Sequence, residues 1–181
     1  MTNQSTPETK FHTLLHDQIY NEFTTAQQYI AIAVYFDNDD LPRLAKHFYK
    51  RAVEERNHAM MMVQYFIDRD IRIEIPGAGE VRNQFDTPCD AIALALDQER
   101  TVTKQVSALA ATARDEGDYL GERFMWWFLK EQVEEEAVLT TLLRVAGRAG
   151  DNLFDLEEFV ARDVDSSSSE SGAPHAAGGS L

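Results

Sequence analysis

Hydrophobic residues recur at intervals of three and four along most of the chain, which is the spacing of helices that bury one face. The pattern predicts four long helices, over residues 8–37, 42–69, 88–115 and 118–147, and a short fifth helix over residues 152–162. Neither glycine nor proline interrupts the first of them. Pro42 follows a polar turn and stands at the predicted start of the second helix, where its missing N–H is tolerated.

The connections between these helices predict the topology. Residues 70–88 read "DIRIEIPGAGEVRNQFDTP", with alternating isoleucines followed by Pro and Gly, and indicate a long extended crossover. Short loops join antiparallel helices, whereas a long crossover joins two parallel ones. The predicted fold class is therefore all-α, an up-down-down-up four-helix bundle. Residues 1–164 make one domain, and the Ser-, Gly- and Ala-rich residues 165–181 are predicted to be a disordered tail.

Each long helix has a row of apolar residues at helical spacing, here called its seam, that should face the bundle interior. A carboxylate interrupts every seam near the middle of its helix. The interrupting residues are Glu22 in the first helix, Glu55 in the second, Glu99 in the third, and Glu131 and Glu135 in the fourth, with Gln132 beside them. His58 lies three residues after Glu55, on the same side of its helix. In an antiparallel bundle these positions fall at roughly one level.

Buried carboxylates without a compensating cation would destabilise the fold by many kcal/mol. No lysine or arginine occupies the seam positions, so metal ions are predicted to neutralise them. Several glutamates with one histidine form a hard, mostly oxygen site that suits iron or manganese. Glu55 is the natural bridge between two ions, because Glu22, His58 and Glu99 are expected around it. A single Glu-x-x-His motif is weak evidence for a metal site. Carboxylates that interrupt all four seams at a similar level are stronger evidence, because surface charge does not explain them.

Composition and charge exclude several classes of function. The chain has 17 basic and 31 acidic side chains and a net charge of −14, which argues against a general nucleic-acid binder. The single cysteine, Cys89, forms neither an intrachain disulfide nor a CxxC metal site. No signal-like or membrane-spanning apolar run is present in the sequence. We therefore expect a cytoplasmic protein with no nucleic-acid or membrane partner.

The pattern Glu22, Glu55-x-x-His58, Glu99 and Glu131-Gln132 resembles the dinuclear iron centre of the ferritin family in order, spacing and residue type. The resemblance covers residues 8–162 and is nearest to prokaryotic non-haem ferritins of actinobacterial type. It implies a ferroxidase, in which Fe(II) is oxidised by dioxygen or peroxide. It also implies iron storage, with ferric mineral held inside an octahedral cage of 24 identical chains.

The resemblance also implies which residues bind iron. One ion would take Glu22, Glu55 and His58, and the other would take Glu55, Glu99 and Glu135 with Gln132 close by. A third nearby iron site would use the acidic positions Glu54, Glu131, Glu134 and Glu135. Tyr29 matches the tyrosine that ferritins place beside the centre.

No haem is expected, although the related bacterioferritins bind it. Bacterioferritins place a haem-ligating methionine directly after the helix-two ligand glutamate, and here that position is Arg56, which cannot ligate haem iron. They also carry a second Glu-x-x-His on the fourth helix, where this chain has Gln132 and Glu135.

Three alternatives remain beside the storage ferritin. A non-storage diiron oxidase or peroxidase is the main one, although a rubrerythrin-like form would need paired cysteines. A Dps-type miniferritin builds its sites between subunits, whereas the ligands here are complete within one chain. A structural ferritin chain without ferroxidase activity would have lost ligands.

The terminal "GGSL" is either part of a flexible tail, which is the favoured reading, or a tag that docks the protein in an encapsulating compartment.

Overall fold

The computed structural model describes residues 9–150, 152–164 and 172–181. Its helices are α1 (Lys10–Asn38), α2 (Pro42–Asp68), α3 (Pro88–Asp115), α4 (Tyr119–Ala149) and α5 (Leu153–Phe159), which continues as a π-helical turn (Val160–Val164). The four long helices begin and end within two residues of their predicted bounds, and the described ranges contain no strand. None of the described helices has the length and apolar content needed to cross a membrane.

Carboxylates from distant parts of the chain hold two helix N-termini. Glu116, which follows α3, accepts hydrogen bonds from the first two backbone N–H groups of α1 at 2.9 and 3.0 Å. Glu157 of α5 accepts from the backbone N–H groups of Arg43 and Leu44 at 2.8 Å each. These N–H groups have no partner within their own helices, and the negative charge also complements the helix dipole. The short α5 is thereby fixed against the start of α2.

The crossover between α2 and α3 has no regular secondary structure and is held against α1. The Gln28 side chain donates to the carbonyl of Arg82 at 2.7 Å and accepts from its N–H at 2.8 Å. The backbone N–H of Gly79 donates to the Thr24 hydroxyl at 2.9 Å. α1 packs mainly against α2, and α3 mainly against α4. The predicted up-down-down-up bundle is confirmed.

The bundle has two apolar clusters with a polar layer between them. Cluster I includes Phe11, Leu15, Met62, Phe66, Val106, Met125 and Phe128. Cluster II includes Ile32, Phe36, Phe48, Ile92, Leu139 and Leu142. Each long helix contributes to both clusters, and its seam carboxylate lies in sequence between the two contributions. The polar layer, made of Glu22, Glu55, His58, Glu99, Gln132 and Glu135, is therefore closed at both ends by apolar packing.

The end of the chain lies against α2. The backbone N–H of Ala177 donates to the carbonyl of Met60 at 3.0 Å, and that of Leu181 donates to Oδ1 of Asn57 at 3.2 Å. Ala176 and Ala177 are buried beside cluster I. Of the tail predicted to be disordered, residues 165–171 lie outside the described residues, whereas residues 172–181 make these defined contacts. Small alanine side chains allow the backbone to approach the helix closely, which a composition argument does not capture.

Candidate metal centre

Three buried ligand groups meet in the polar layer. Glu22 of α1 and Glu55 and His58 of α2 each offer one ligand atom, and these atoms all lie within 4.8 Å of one another. The three residues are only 1%, 2% and 3% exposed. Oε2 of Glu22 is buried and has no hydrogen-bond partner among the described residues. A buried acceptor of this kind, next to a second carboxylate and an imidazole, fits a divalent cation.

Neighbouring side chains orient these ligands. Gln18, one turn earlier on α1, donates from Nε2 to Oε1 of Glu22 at 2.8 Å. Nδ1 of His58 lies 3.4 Å from Oε2 of Glu55. The imidazole stands edge-on to the rings of Trp127 and Phe128, with centroids 5.5 and 5.7 Å away. Such outer contacts fix the direction of metal-binding side chains.

The pKa values of the two carboxyl groups of this site are shifted in opposite directions. Burial, and then the neighbouring charge of Glu55, raise the pKa of Glu22 well above its ordinary value. Burial alone would also raise the pKa of Glu55, but His58 and Arg51 lower it to about 2. In the metal-free protein Glu22 therefore takes up a proton more readily than Glu55 does. A divalent ion bound here would compete with protons for the Glu22 carboxylate.

Glu99 of α3 lies beside this group and is held by two donors. Gln132 donates from Nε2 to Oε2 of Glu99 at 2.9 Å, and the hydroxyl of Tyr29 donates to Oε1. Glu99 is fully buried, and burial together with the charge of Glu55 raises its pKa. Glu99 is not a member of the tight group of three. The structure thus brings Tyr29, Glu99 and Gln132 together at the edge of that group.

Arg51 is a residue of the site that the seam analysis missed. It lies one turn before Glu55 on α2, and its side chain is only 10% exposed. Nη2 donates to Oε1 of Glu55 at 3.2 Å, Nη1 donates to Oε2 of Glu54 at 2.7 Å, and both nitrogens contact Glu135. The expectation that no basic side chain neutralises the seam carboxylates is therefore wrong. The missed signal was the spacing of four between Arg51 and Glu55, which brings both side chains to one side of the helix.

The remaining acidic positions are spread from the interior to the surface. Glu131 and Glu135 are buried at 4% and 6% exposure, whereas the Glu134 side chain is 61% exposed. Lys130 lies 3.8 Å from Glu131 and 3.4 Å from Glu134, so these two carboxylates share a cation. Burial raises the pKa of Glu135 to about 7 despite its contact with Arg51. These three carboxylates and that of Glu54, which is partly exposed, are here called the acidic path, because their exposure ranges from buried to solvent-exposed.

The chain is similar to known proteins over most of its length. The Ferritin family model, described as a ferritin-like domain, matches residues 12–149. The protein named ferritin BfrB from Mycobacterium tuberculosis is 69% identical over 181 residues, which is 100% of both chains. The bacterial non-heme ferritin of Staphylococcus aureus is 34% identical over 138 residues, covering 76% of this chain and 83% of the relative.

The fold is also similar to that of a solved ferritin structure. The open pore ferritin from the archaeon Archaeoglobus fulgidus superimposes with a TM-score of 0.81 at 28% identity, covering 86% of this chain and 96% of that one. The matched residues include α2, α3 and α4, all but the first two residues of α1, and the whole polar layer. The chain therefore belongs to the ferritin family.

Proposed function

We propose that this chain is the subunit of an iron-storage ferritin. It oxidises Fe(II) to Fe(III) at a dinuclear centre within each chain, and the ferric product is stored as mineral inside a hollow cage. The observation that carries the proposal is the tight, buried group of Glu22, Glu55 and His58 with Glu99 beside it. An interior of this kind is unfavourable in a plain helical bundle and favourable once cations bind.

Each residue of the polar layer has a role in this proposal. The first Fe(II) binds Glu22, Glu55 and His58. The second binds Glu55, Glu99 and Glu135, with Glu55 as the bridge. Gln132 and Tyr29 act as positioning residues, because each donates a hydrogen bond to the Glu99 carboxylate. The high pKa of the Tyr29 hydroxyl, raised by burial and by Glu99, keeps that hydroxyl a donor.

The carboxylate-rich ligand set favours the oxidation itself. Carboxylate oxygens stabilise an ion of charge +3 more than one of charge +2, and the effect is larger in a buried site where the dielectric constant is low. Two Fe(II) ions supply two electrons. Dioxygen accepts these with two protons to give hydrogen peroxide, or peroxide accepts them with two protons to give water.

A third iron site would lie on the acidic path formed by Glu54, Glu131, Glu134 and Glu135. Its support is the gradient from the buried Glu135 to the exposed Glu134, which provides carboxylates at successive depths. In this proposal the path carries iron between the centre and the surface of the bundle. Lys130 would move away as the ion binds.

The partner of this chain is proposed to be further copies of itself, in an octahedral cage of 24. An outward-facing groove between α1 and α2 supports self-association, because Ile30, Tyr49 and Val53 line it with exposures of 40%, 38% and 37%. Arg56, at the position where bacterioferritins place their haem-ligating methionine, lines the same groove. The cage is proposed to be cytoplasmic. The exposed Leu181 at the end of the tail is the part that an encapsulating compartment would bind.

Replacing the bridge tests the proposal. We expect Glu55→Ala to slow the rapid phase of Fe(II) oxidation by about a hundredfold or more, because both subsites lose a ligand. Stopped-flow absorbance of ferric species at a ratio of two Fe(II) per chain measures this phase. Glu158→Ala, which removes an exposed carboxylate of α5, is the matched control. A Glu55→Ala protein that oxidises iron at the wild-type rate would overturn the site assignment.

A further inference from the structure

The two oxygens of Glu55 face different partners. Oε2 lies 3.4 Å from Nδ1 of His58, on the side of the tight group with Glu22. Oε1 accepts a hydrogen bond from Nη2 of Arg51 at 3.2 Å. The bridging carboxylate of the proposed centre therefore presents one oxygen to the other ligands of the first subsite, while a guanidinium engages its second oxygen.

The same guanidinium engages a second proposed ligand of the second subsite. Both terminal nitrogens of Arg51 contact the two carboxylate oxygens of Glu135, in the bidentate arrangement that suits arginine. Oxygen lone pairs that accept these N–H groups are the ones that a metal ion would use. Arg51 and a second divalent ion therefore compete for Glu55 and Glu135.

Arg51 does not release the two carboxylates by losing its charge, because an arginine side chain stays protonated in proteins. It can release them by moving towards the protein surface. Nη1 already donates to Oε2 of Glu54 at 2.7 Å, and the Glu54 side chain is 22% exposed, compared with 2% for Glu55. A change of rotamer would keep the pair with Glu54 and release the two buried carboxylates.

We propose that Arg51 is a built-in cation that fills the second divalent-metal subsite of the metal-free centre, between Glu55 and Glu135. Loading is then sequential. The first ion binds Glu22, Glu55 and His58 without displacing Arg51, and the second binds only when the guanidinium moves out towards Glu54. This inference rests on the proposed dinuclear centre and adds the order in which its two subsites fill.

Cobalt(II) titration of the assembled protein tests this order without iron oxidation. Cobalt(II) gives visible absorption bands that depend on its ligands, and isothermal titration calorimetry gives the stoichiometry and affinity of each step. Glu55→Ala, measured in parallel, identifies binding at other acidic positions, which is subtracted. We expect the wild-type centre to bind one cobalt(II) per chain tightly and a second at least tenfold more weakly.

Three variants separate the role of Arg51 from a purely structural one. Arg51→Gln should bring the two affinities within about threefold of each other, whereas Arg51→Lys keeps a cation and should keep the second step weak. Arg100→Gln removes a charge from a side chain that is 51% exposed on α3, next to Glu99, and should leave both steps unchanged. Thermal unfolding of each metal-free variant reports any general loss of structure separately.

The outcomes distinguish this inference from the proposed function. Two equally tight ions in the wild-type protein, or an Arg51→Gln protein with the wild-type pattern, would overturn the role of Arg51 and leave the dinuclear centre standing. Failure of both proteins to bind cobalt(II) beyond the level of Glu55→Ala would overturn the centre itself. If Arg51→Gln does not fold, the ratio of the two wild-type affinities is the test, because two equally tight ions would still overturn the role of Arg51.

Discussion

The hydroxyl of Tyr29 on α1 donates a hydrogen bond to the Glu99 carboxylate on α3, across the interior of the bundle and 70 positions away in sequence. Tyr29 is fully buried among the residues of cluster II, so its ring is fixed while its hydroxyl reaches the polar layer. The contact links the apolar packing of the bundle directly to a proposed iron ligand. Tyr29 therefore orients the Glu99 carboxylate as well as filling the core.

Removing that hydroxyl should affect stability and activity together. We expect Tyr29→Phe to lower the free energy of unfolding of the metal-free protein by about 2 kcal/mol, because a buried carboxylate loses a donor. Fe(II) oxidation should slow about fivefold, which corresponds to about 1 kcal/mol in the barrier. Tyr119→Phe removes the hydroxyl of a side chain that is 72% exposed at the start of α4 and serves as the control. Wild-type behaviour of Tyr29→Phe in both assays would contradict the positioning role.

Two glycines of α4 should respond in opposite ways to the same substitution. A Cβ atom at Gly121 would lie 2.5 Å from Cε1 of Phe11, a ring that is fully buried in cluster I, whereas one at Gly147 would meet no atom within 4 Å. We expect Gly121→Ala to destabilise the protein by about 1–3 kcal/mol through overpacking. Gly147→Ala should stabilise it by about 0.5–1 kcal/mol through helix propensity. Chemical denaturation of the two variants measures both, and equal effects would contradict the close approach of the Phe11 ring to Gly121.

Stability in mild acid should depend on His47. Burial, followed by the charges of Arg51 and Lys50, lowers the pKa of His47 to about 3, and its Nε2 has no hydrogen-bond partner among the described residues. An unfolded chain protonates this histidine below a pH of about 6.5, while the folded protein keeps it neutral. The unfolded state thus binds more protons, so stability falls as the pH decreases from about 6.5 towards 3.

A glutamine at position 47 removes this proton uptake. Between pH 7 and pH 5 we expect the wild-type protein to lose about 2 kcal/mol more of its free energy of unfolding than His47→Gln loses. His16→Gln, at a half-buried ring whose Nε2 lies 2.7 Å from the carbonyl oxygen of Glu74, is the matched control. If the free energy of unfolding depends on pH in the same way for wild type and His47→Gln, the pKa of this histidine is not lowered by folding.

The helices and the polar layer could be predicted from the sequence for a common physical reason. Apolar residues at helical spacing locate the buried face, and Pro42 marks a helix start, so the level of Glu22, Glu55 and Glu99 follows by counting along each helix. Their identity as a group follows because buried carboxylates need a cation. The structure then supplies what counting cannot, namely which oxygen of Glu55 faces His58.

The positions of Arg51 and of residues 172–181 could not be predicted from the spacing of residues along the chain. Arg51 lies beside the seam, and its long side chain reaches the interior from a position that the periodicity does not count as buried. Residues 172–181 have no periodic pattern, and Ala177 is held by one backbone hydrogen bond to Met60. Both depend on the three-dimensional surroundings of a single residue, and neither follows from spacing along the chain.

The most direct test of the whole account is size-exclusion chromatography after aerobic loading with Fe(II), with iron and protein measured in every fraction. We expect iron to elute with a species of cage size, in an amount far above two ions per chain. Iron limited to about two ions per chain on a small oligomer would contradict storage and would instead indicate a diiron oxidase.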